Sequence, residues 1–446
     1  MKVAILGNGI SGISCARWLR KLGDDEITVI SSETKYFYSR TALMYVYMGH
    51  MREADVKPYE DWFWEKNRID LKEAHITNVD FDNKVLHTKA GDTVKYDKLV
   101  LALGSKSNKF GWPGQDLKGV GGLYHWQDLE QMEAYSPGLK RAVIAGGGLI
   151  GIEMAEMFRS RGIEVTMLVR EASYWNNVLP KEESAMISRH INDHHIDLRL
   201  GMNLGSINDE GSGQAKSVTV KETDETIPCG YVGLTAGVSP NIDFLKETAL
   251  ETGRGIKVND YLQTNIPDVY AVGDCAELRE PKPGRRGVEA IWYTGRMMGE
   301  TAAYNIIGTA TPYDPGIWFN SAKFLDIEYQ VYGSVPNKMP EDMNTLYWEH
   351  ADGDKAVRIN YHATEGHVLG FNLMGIRYRH EVCEKWLAEK APMEEVLQNL
   401  SLANFDPEFY KEYEQDVINM YNGQTGKSLQ LKKKRKLDQV LSFLKR

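Results

Sequence analysis

A single pattern occurs twice in this sequence of 446 residues: an apolar run, a glycine-rich turn, a helical stretch and a second apolar run. The first copy begins with KVAIL, turns at GNGISG and ends with EITVI. The second copy begins with RAVIA, turns at GGGLIG and ends with EVTMLV. Short buried runs on either side of a helix are typical of a βαβ unit with parallel strands. The repeat therefore predicts an α/β fold that contains two such units.

The glycines of both turns have the spacing G-x-G-x-x-G, which suits a phosphate-binding turn. Such a turn lets the backbone approach a pyrophosphate, and the helix that follows offers free N–H groups. One copy alone also occurs as a purely structural turn, but two copies in full βαβ context favour two dinucleotide sites. The glycines are Gly7, Gly9 and Gly12 in the first turn and Gly146, Gly148 and Gly151 in the second.

The composition is that of an ordinary globular protein, with 42% hydrophobic and 26% charged residues. A net charge of −9 argues against a nucleic-acid-binding body, and no apolar run approaches the roughly 18 residues of a membrane span. The four cysteines stand far apart, which indicates neither disulfides nor a thiolate metal site. They are Cys15, Cys229, Cys275 and Cys383. We expect a cytoplasmic protein.

Two further segments, YDKLVLALGS and TNIPDVYAVGDCAE, each end an apolar run in a glycine turn. In this order with the two glycine-rich turns, they resemble the signatures of the pyridine nucleotide-disulfide oxidoreductase superfamily, the flavoproteins with two dinucleotide-binding domains. The resemblance covers roughly residues 1 to 335. It implies that the first turn holds FAD and that the second holds NADH or NADPH.

The resemblance also implies two Rossmann-like domains, with the FAD-binding domain split around the NAD(P)-binding domain, and a C-terminal α+β domain. The expected ranges are 1–112 and 239–314 for FAD, 113–238 for NAD(P) and 315–446 for the C-terminal domain. In that last domain the pattern predicts four strands and then helices, and the strands are expected around Lys323 to Gly333, Asn344 to Glu349, Ala356 to Tyr361 and His367 to Leu373. A helix from Glu289 to Tyr304 would direct its N-terminus at the flavin pyrimidine ring.

Further site residues are implied by position in the family pattern. Glu33 would bind the adenosine ribose of FAD, and Asp274 would accept a hydrogen bond from a ribityl hydroxyl. Glu153 would lie near the nicotinamide and the flavin edge, as a catalytic candidate. The remaining positions expected to bind cofactor are Ile76, Ala102 and Gly104 for FAD and Arg170 and Glu171 for NAD(P)H. Because an arginine suits a 2′-phosphate and an acid suits a 2′-hydroxyl, NADH and NADPH both stay open.

Disulfide reductases of the superfamily carry redox cysteines after the second strand of the first domain, where this chain has none. In their place, YSRTALMYVYMG resembles a pattern of rubredoxin reductases, oxygenase-coupled ferredoxin reductases and nitrite reductase flavin domains. The matching residues are Tyr38, Arg40, Leu43 and Gly49. Several of those relatives have a lysine where this chain has Tyr45, so Arg40 is the candidate for a cation near the flavin.

The implied activity is that of an FAD-dependent NAD(P)H oxidoreductase that passes electrons to a small redox protein such as a rubredoxin or ferredoxin. A quinone reductase similar to type II NADH dehydrogenases is one alternative, and a flavoprotein redox sensor or scaffold is another. The tail has five consecutive cations, 432–436, before an apolar helical face of Leu437, Val440, Leu441 and Leu444. It predicts a docked terminal helix, with contact to an acidic partner or a peripheral membrane surface as alternatives. A homodimer is a further expectation.

His190 and His194 have the i, i+4 spacing that can bind a metal on one helix face. No glutamate accompanies them in the position that zinc proteases use. The sequence therefore favours a polar helix face, and we predict no metal site.

Overall fold

The computed structural model describes residues 1–405 and 411–432. Within them the chain forms two compact units. The first unit contains residues 1–170 and 195–315, and the second contains 171–194 with the described residues from 316 onward. The segment 171–194, which the sequence analysis assigned to the NAD(P)-binding domain, therefore groups with the C-terminal module. The predicted division into three domains, with the FAD-binding domain in two ranges, stays a prediction.

The described residues contain ten α-helices. They are α1 (Ile10–Leu22), α2 (Leu43–Tyr47), α3 (Trp62–Lys66), α4 (Trp126–Tyr135), α5 (Leu149–Ser160), α6 (Lys181–Asp193), α7 (Trp292–Ile306), α8 (His380–Ala388), α9 (Met393–Gln398) and α10 (Glu414–Thr425).

The strands fall in three stretches of the chain. The first stretch holds β1 (Lys2–Leu6), β2 (Glu26–Ser31), β3 (Ile69–Glu73), β4 (Ile76–Asp80), β5 (Val85–Thr88), β6 (Thr93–Lys95), β7 (Lys98–Leu101) and β8 (Ser105–Ser107). The second holds β9 (Val120–Gly121), β10 (Arg141–Ala145), β11 (Glu164–Val169), β12 (Ile196–Leu200), β13 (Leu204–Asn208), β14 (Ser217–Val220), β15 (Thr226–Pro228), β16 (Tyr231–Leu234), β17 (Val238–Pro240), β18 (Ile256–Val258), β19 (Val269–Ala271) and β20 (Ala276–Leu278). The third holds β21 (Phe319–Phe324), β22 (Ile327–Gly333), β23 (Met343–Glu349), β24 (Ala356–His362) and β25 (Val368–Met374).

Two parallel five-stranded sheets form the frame of the first unit. Their strand orders are β19-β7-β1-β2-β3 and β12-β11-β10-β16-β9, and every pairing in them is parallel. The central strands β1 and β10 are almost entirely buried, as expected for strands covered by helices on both faces. Each is followed by a glycine turn and a helix, α1 or α5. This arrangement confirms the prediction of two Rossmann-like domains.

The second unit contains one antiparallel sheet in the order β21-β22-β25-β24-β23, with helices, and so has the predicted α+β composition. The prediction of one strand over Lys323 to Gly333 was wrong, because the chain reverses at Leu325 and Asp326 to form a hairpin of β21 and β22. Leu325 adopts φ +58° there, and its side chain is buried. A leucine gives no turn signal, so the reversal was not visible in the pattern.

The helix expected from Glu289 to Tyr304 is α7, which begins three residues later. Glu289 precedes it, and its carboxylate accepts hydrogen bonds from the buried Arg285 guanidinium at 2.6 and 2.7 Å. α7 packs closely on α1, where a Cβ at Gly299 would overlap the carbonyl oxygen of Ser11. The close approach fixes the N-terminal ends of these two helices relative to one another.

Across residues 1–405 and 411–432, no helix has both the length and the apolar content needed to cross a membrane. The expected helix through Leu437 to Leu444 lies outside the described residues, as do the tail cations after Lys432.

Candidate functional site

A cavity of about 750 Å³ lies at the carboxyl ends of the first sheet, and all of its described lining residues belong to the first unit. Residues that follow each of the five strands contribute to its wall, which is the usual place for ligands in open α/β sheets. Nine of the predicted site residues line it together. They are Gly7, Gly9, Glu33, Arg40, Ile76, Ala102, Gly104, Glu153 and Asp274.

The first glycine turn has the shape that a dinucleotide requires. Gly7 has φ +117°, and a Cβ there would overlap the carbonyl oxygen of Ala102, while a Cβ at Gly12 would overlap the carbonyl oxygen of Gly7. Gly9 has an ordinary φ of −71°, and a Cβ there would meet none of the described atoms within 4 Å. Gly9 therefore faces open space beside the N-terminus of α1, where a pyrophosphate can approach.

The second turn repeats this geometry. Gly146 has φ +131°, with a Cβ position 2.5 Å from the carbonyl oxygen of Thr235, and a Cβ at Gly151 would overlap the carbonyl oxygen of Gly146. Gly148 has φ −87°, and a Cβ there would meet none of the described atoms within 4 Å. These three glycines do not line the large cavity among its described residues, so the second turn forms a separate cradle beside it.

Three helices begin at the cavity, and their first residues Ile10, Leu149 and Trp292 all line it. Over the fully described lengths of α1, α5 and α7, no side chain caps the N-terminus and no acidic residue lies in the first turn. Their N-terminal N–H groups therefore lack side-chain caps, and the helix dipoles favour negative charge in the cavity. This electrostatic setting suits pyrophosphate groups and a reduced flavin.

Asp274 is held in the cavity wall by two hydroxyl groups. Its Oδ2 accepts hydrogen bonds from Tyr124 Oη at 2.9 Å and from Ser105 Oγ at 3.1 Å, and the Ser105 N–H donates to Tyr124 Oη at 2.9 Å. Burial raises the pKa of Asp274, while the hydrogen bonds from Tyr124 and Ser105 act against this rise. The network fixes the carboxyl group in one orientation at the point where a ribityl hydroxyl is expected.

Glu33 and Arg40 form an ion pair in another part of the wall. Arg40 donates to both carboxylate oxygens of Glu33, at 3.0 and 2.7 Å. The Tyr38 hydroxyl and the backbone N–H of Trp126 donate to Oε1. Burial acts to raise the pKa of Glu33, but the nearby His125 ring and the hydrogen bonds from Arg40 and Tyr38 hold that pKa well below its ordinary value. Glu33 is therefore ionised, and protein donors already occupy its oxygens. Its role at the adenosine ribose stays a prediction.

Arg40 also contacts Tyr124 in the cavity wall. Its Nη1 donates to the carbonyl oxygen of Tyr124, and its guanidinium lies 4.6 Å from the centre of the Tyr124 ring. Tyr45, where several of the resembling reductases have lysine, stacks on His50 with ring centres 6.2 Å apart. The charge of Arg40 is thus compensated within the wall, and its role as a cation beside the flavin stays a prediction.

The two remaining predicted residues follow a strand of the second sheet. Arg170 and Glu171 directly follow β11, the neighbour of β10 in the second sheet, and neither is among the described lining residues. Arg170 is exposed and Glu171 is half-buried. Their part in choosing between NADH and NADPH stays a prediction.

The four cysteines are not placed or ionised as a redox relay in the cavity would require. All four are free and buried, and none is among the described residues that line the cavity. Burial raises the pKa of the Cys229 and Cys275 thiols to about 12, which disfavours the thiolate that redox relays use. Cys275 instead accepts a hydrogen bond from the Leu103 N–H at 3.3 Å.

Sequence reasoning missed the hydroxyl groups that position Asp274. Ser105 directly follows Gly104, a predicted site residue, so its place in the site could have been predicted from the sequence. Tyr124 stands 150 positions from Asp274, and no motif marks it. Only the fold brings the two residues together.

Comparison with known proteins places the chain in a family. The pyridine nucleotide-disulphide oxidoreductase family matches residues 1–299. An NADH-rubredoxin oxidoreductase from Clostridium acetobutylicum is 29% identical, over 76% of this chain and 83% of its own length. A 5,5'-dehydrodivanillate O-demethylase ferredoxin reductase subunit from Sphingobium sp. is 31% identical, over 74% of this chain and 80% of its own. The NAD-dependent persulfide reductase of A. fulgidus shares the fold, with a TM-score of 0.81 at 21% identity over 96% of this chain and 84% of its own.

The chain belongs to the pyridine nucleotide-disulphide oxidoreductase family. It is an oxidoreductase that uses FAD and NAD(P)H, and the two glycine cradles and the uncapped helix N-termini fit both cofactors.

Proposed function

We propose that this protein takes a hydride from NAD(P)H onto FAD in the large cavity and passes the electrons to a small redox carrier protein, in a reducing cytoplasm. One observation carries the proposal. The first turns of α1 and α5, which follow the two glycine cradles, both line the same cavity. Cofactors held on those two helices would meet there, as hydride transfer requires.

Some of the cavity residues would hold the cofactors, and others would orient them. Gly9 and the N-terminus of α1 would hold the FAD pyrophosphate, and Asp274, fixed by Tyr124 and Ser105, would orient the ribityl chain. Gly148 and the N-terminus of α5 would hold NAD(P)H. Glu153 lies on α5 and lines the cavity, so we assign it to the border between the two cofactors. When bound, FAD would accept two electrons as a hydride and release them one at a time.

A carrier protein is the acceptor that best fits the chain. The relatives from Clostridium acetobutylicum and Sphingobium sp. are named as rubredoxin and ferredoxin reductases. The buried thiols, with their raised pKa values, give no support for a disulfide acceptor reached through a cysteine pair.

The test compares acceptors under anaerobic steady-state turnover. The FAD-loaded protein is supplied with NADH or NADPH and then with a rubredoxin, a [2Fe–2S] ferredoxin or a water-soluble quinone at equal concentration. We expect reduction of at least one carrier protein to be much faster than reduction of the quinone. The Gly148→Val variant serves as the control, because it should lose turnover with every acceptor.

Two outcomes would contradict the proposal. Faster turnover with the quinone than with either carrier would support a quinone reductase. Flavin reduction that is too slow for turnover with any acceptor would support a redox sensor.

A further inference from the structure

Two histidines and a carboxylate converge in the second unit. His190 lies on α6 and His194 directly follows that helix, while Asp326 lies in the turn between β21 and β22. His190 Nε2 is 2.5 Å and His194 Nε2 is 3.5 Å from Asp326 Oδ1. The three ligand atoms all lie within 4.8 Å of one another. A carboxylate more than 130 positions away thus joins the histidine pair, which the sequence alone did not show.

The ring of His194 is oriented as a metal ligand would be. Its Nδ1 lies 2.9 Å from the carbonyl oxygen of His190. Because a carbonyl oxygen only accepts, Nδ1 carries the proton, and the lone pair of the neutral ring is on Nε2, which faces Asp326. Metal-binding histidines commonly donate their second N–H to a backbone carbonyl in this way.

The spacing of the three atoms suits a small divalent ion. A tetrahedral ion with bonds of about 2.1 Å separates its ligand atoms by roughly 3.4 Å. The His194–Asp326 distance already has this value, and the His190–Asp326 distance needs to open by less than about 1 Å. Imidazole and carboxylate ligands suit Zn²⁺ among the common ions.

The exposure of the side chains leaves the cluster open to an ion from solvent. The His190 side chain is 12% exposed and anchored, whereas that of Asp326 is 73% exposed and open to solvent. Because the Asp326 carboxylate is open to solvent, water can fill the remaining coordination positions.

We propose that His190, His194 and Asp326 bind one Zn²⁺ ion, which ties the C-terminal end of α6 to the β21–β22 turn. The site lies entirely within the second unit and does not depend on the proposed electron acceptor. A second group, His350, Asp352 and Asp354, also brings potential ligands together. It is the weaker candidate, because the Asp352 N–H already donates to His350 Nδ1 at 3.2 Å and all three residues lie in one turn.

The test uses the full-length, FAD-loaded protein without an affinity tag, treated with EDTA and then titrated with Zn²⁺ by calorimetry. We expect one Zn²⁺ per chain and a rise in the melting temperature when Zn²⁺ is added. His194→Ala and Asp326→Asn should each weaken Zn²⁺ binding by at least about tenfold and remove the rise in melting temperature. Circular dichroism and the flavin content would show that the variants are folded.

His195→Ala and Asp352→Asn are the matched controls, since His195 is the exposed neighbour of His194 and Asp352 belongs to the weaker group. Both should bind Zn²⁺ as the wild type does. The proposal is overturned if the wild type binds no Zn²⁺ at micromolar concentrations. It is equally overturned if His194→Ala and Asp326→Asn bind Zn²⁺ as tightly as the wild type, or if Asp352→Asn abolishes binding.

Discussion

Gly9 and Gly148 occupy equivalent places in the two glycine turns. Both have negative φ values, and a Cβ at either would meet none of the described atoms within 4 Å. A side chain there should leave the fold intact and intrude only on a bound cofactor. The two residues therefore give a matched pair of variants.

We predict that Gly9→Val yields folded protein that no longer retains FAD, because the valine fills the place of the pyrophosphate. Gly148→Val should keep FAD and slow its reduction by NAD(P)H by about 100-fold or more, since the nicotinamide would be displaced. Flavin content and anaerobic stopped-flow absorbance measure the two effects. Normal reduction in Gly148→Val, or loss of FAD from it, would show that the second turn has another role.

The lowered pKa of Glu33 predicts how the free energy of unfolding depends on pH. Its pKa is lowered in the folded protein, so its contribution to stability is complete above the ordinary glutamate pKa of about 4.3 and is lost as the pH falls through the folded value. Glu33→Gln should lower the free energy of unfolding by about 3 kcal/mol at pH 7, because Arg40 loses its charged partner. The difference from the wild type should shrink below about pH 4.3.

Urea unfolding at a series of pH values measures this difference. Glu26→Gln is the control, because Glu26 is exposed and its ion pair with Lys2 spans 3.9 Å. A difference between Glu33→Gln and the wild type that stays constant or grows at low pH would contradict the assigned ionisation.

At the scale of elements, the contact between α1 and α7 positions two of the helix N-termini at the cavity. Gly299 allows this contact, since a Cβ there would overlap the backbone of Ser11. We predict that Gly299→Ala costs about 1–3 kcal/mol of unfolding free energy by forcing the helices apart, and that it weakens FAD retention. Thermal unfolding and flavin content measure both effects.

Gly423→Ala on α10 is the matched control, because a Cβ at that helical position would meet none of the described atoms within 4 Å. It should raise stability slightly, as glycine-to-alanine changes in helices do, and leave FAD retention unchanged. Equal behaviour of the two variants would show that the α1–α7 contact does not support the cavity.

Elements with a strong local signal were predictable from the sequence. The strands β1 and β10 and the helices α1 and α5 follow from apolar runs and glycine spacing, because both glycine turns require specific backbone angles. The β21–β22 hairpin was not predictable, since Leu325 turns the chain without glycine, asparagine or proline. Its tip carries Asp326, so the same local ambiguity concealed the third ligand of the proposed metal site.

The cavity was predictable only in part. Its glycines and Asp274 stand in motifs, which reflect local backbone demands. Tyr124 and Trp126 act through hydrogen bonds that tertiary packing creates, such as the one between the Trp126 backbone N–H and Glu33 across 93 positions. Pairings at such separations leave no pattern in a single sequence.

The described residues that line the cavity all belong to the first of the two units. The second unit has its own buried ion pair, in which Arg358 donates to both oxygens of Glu183 at 2.7 and 2.8 Å. The side chains of Arg358 and Glu183 are 3% and 1% exposed. Removing one partner would leave the other charge buried without compensation.

We predict that Arg358→Met lowers the unfolding free energy of the second unit by about 3–5 kcal/mol, while NAD(P)H still reduces the flavin, because the cavity lining belongs to the first unit. Arg189→Met is the control, since the Arg189 side chain is 53% exposed in its pair with Glu349 and its loss should cost about 1 kcal/mol or less. Calorimetry and stopped-flow reduction measure the two properties. Loss of flavin reduction in a folded Arg358→Met protein would contradict this division.

Anaerobic mixing of the purified FAD-loaded protein with NADH, and in parallel with NADPH, tests whether both cofactors meet in one cavity. The flavin absorbance reports the reaction. We predict rapid bleaching with at least one of the two nucleotides, which would also identify the preferred one. Flavin that stays oxidised with both nucleotides would contradict the claim that the second glycine turn delivers hydride to the cavity.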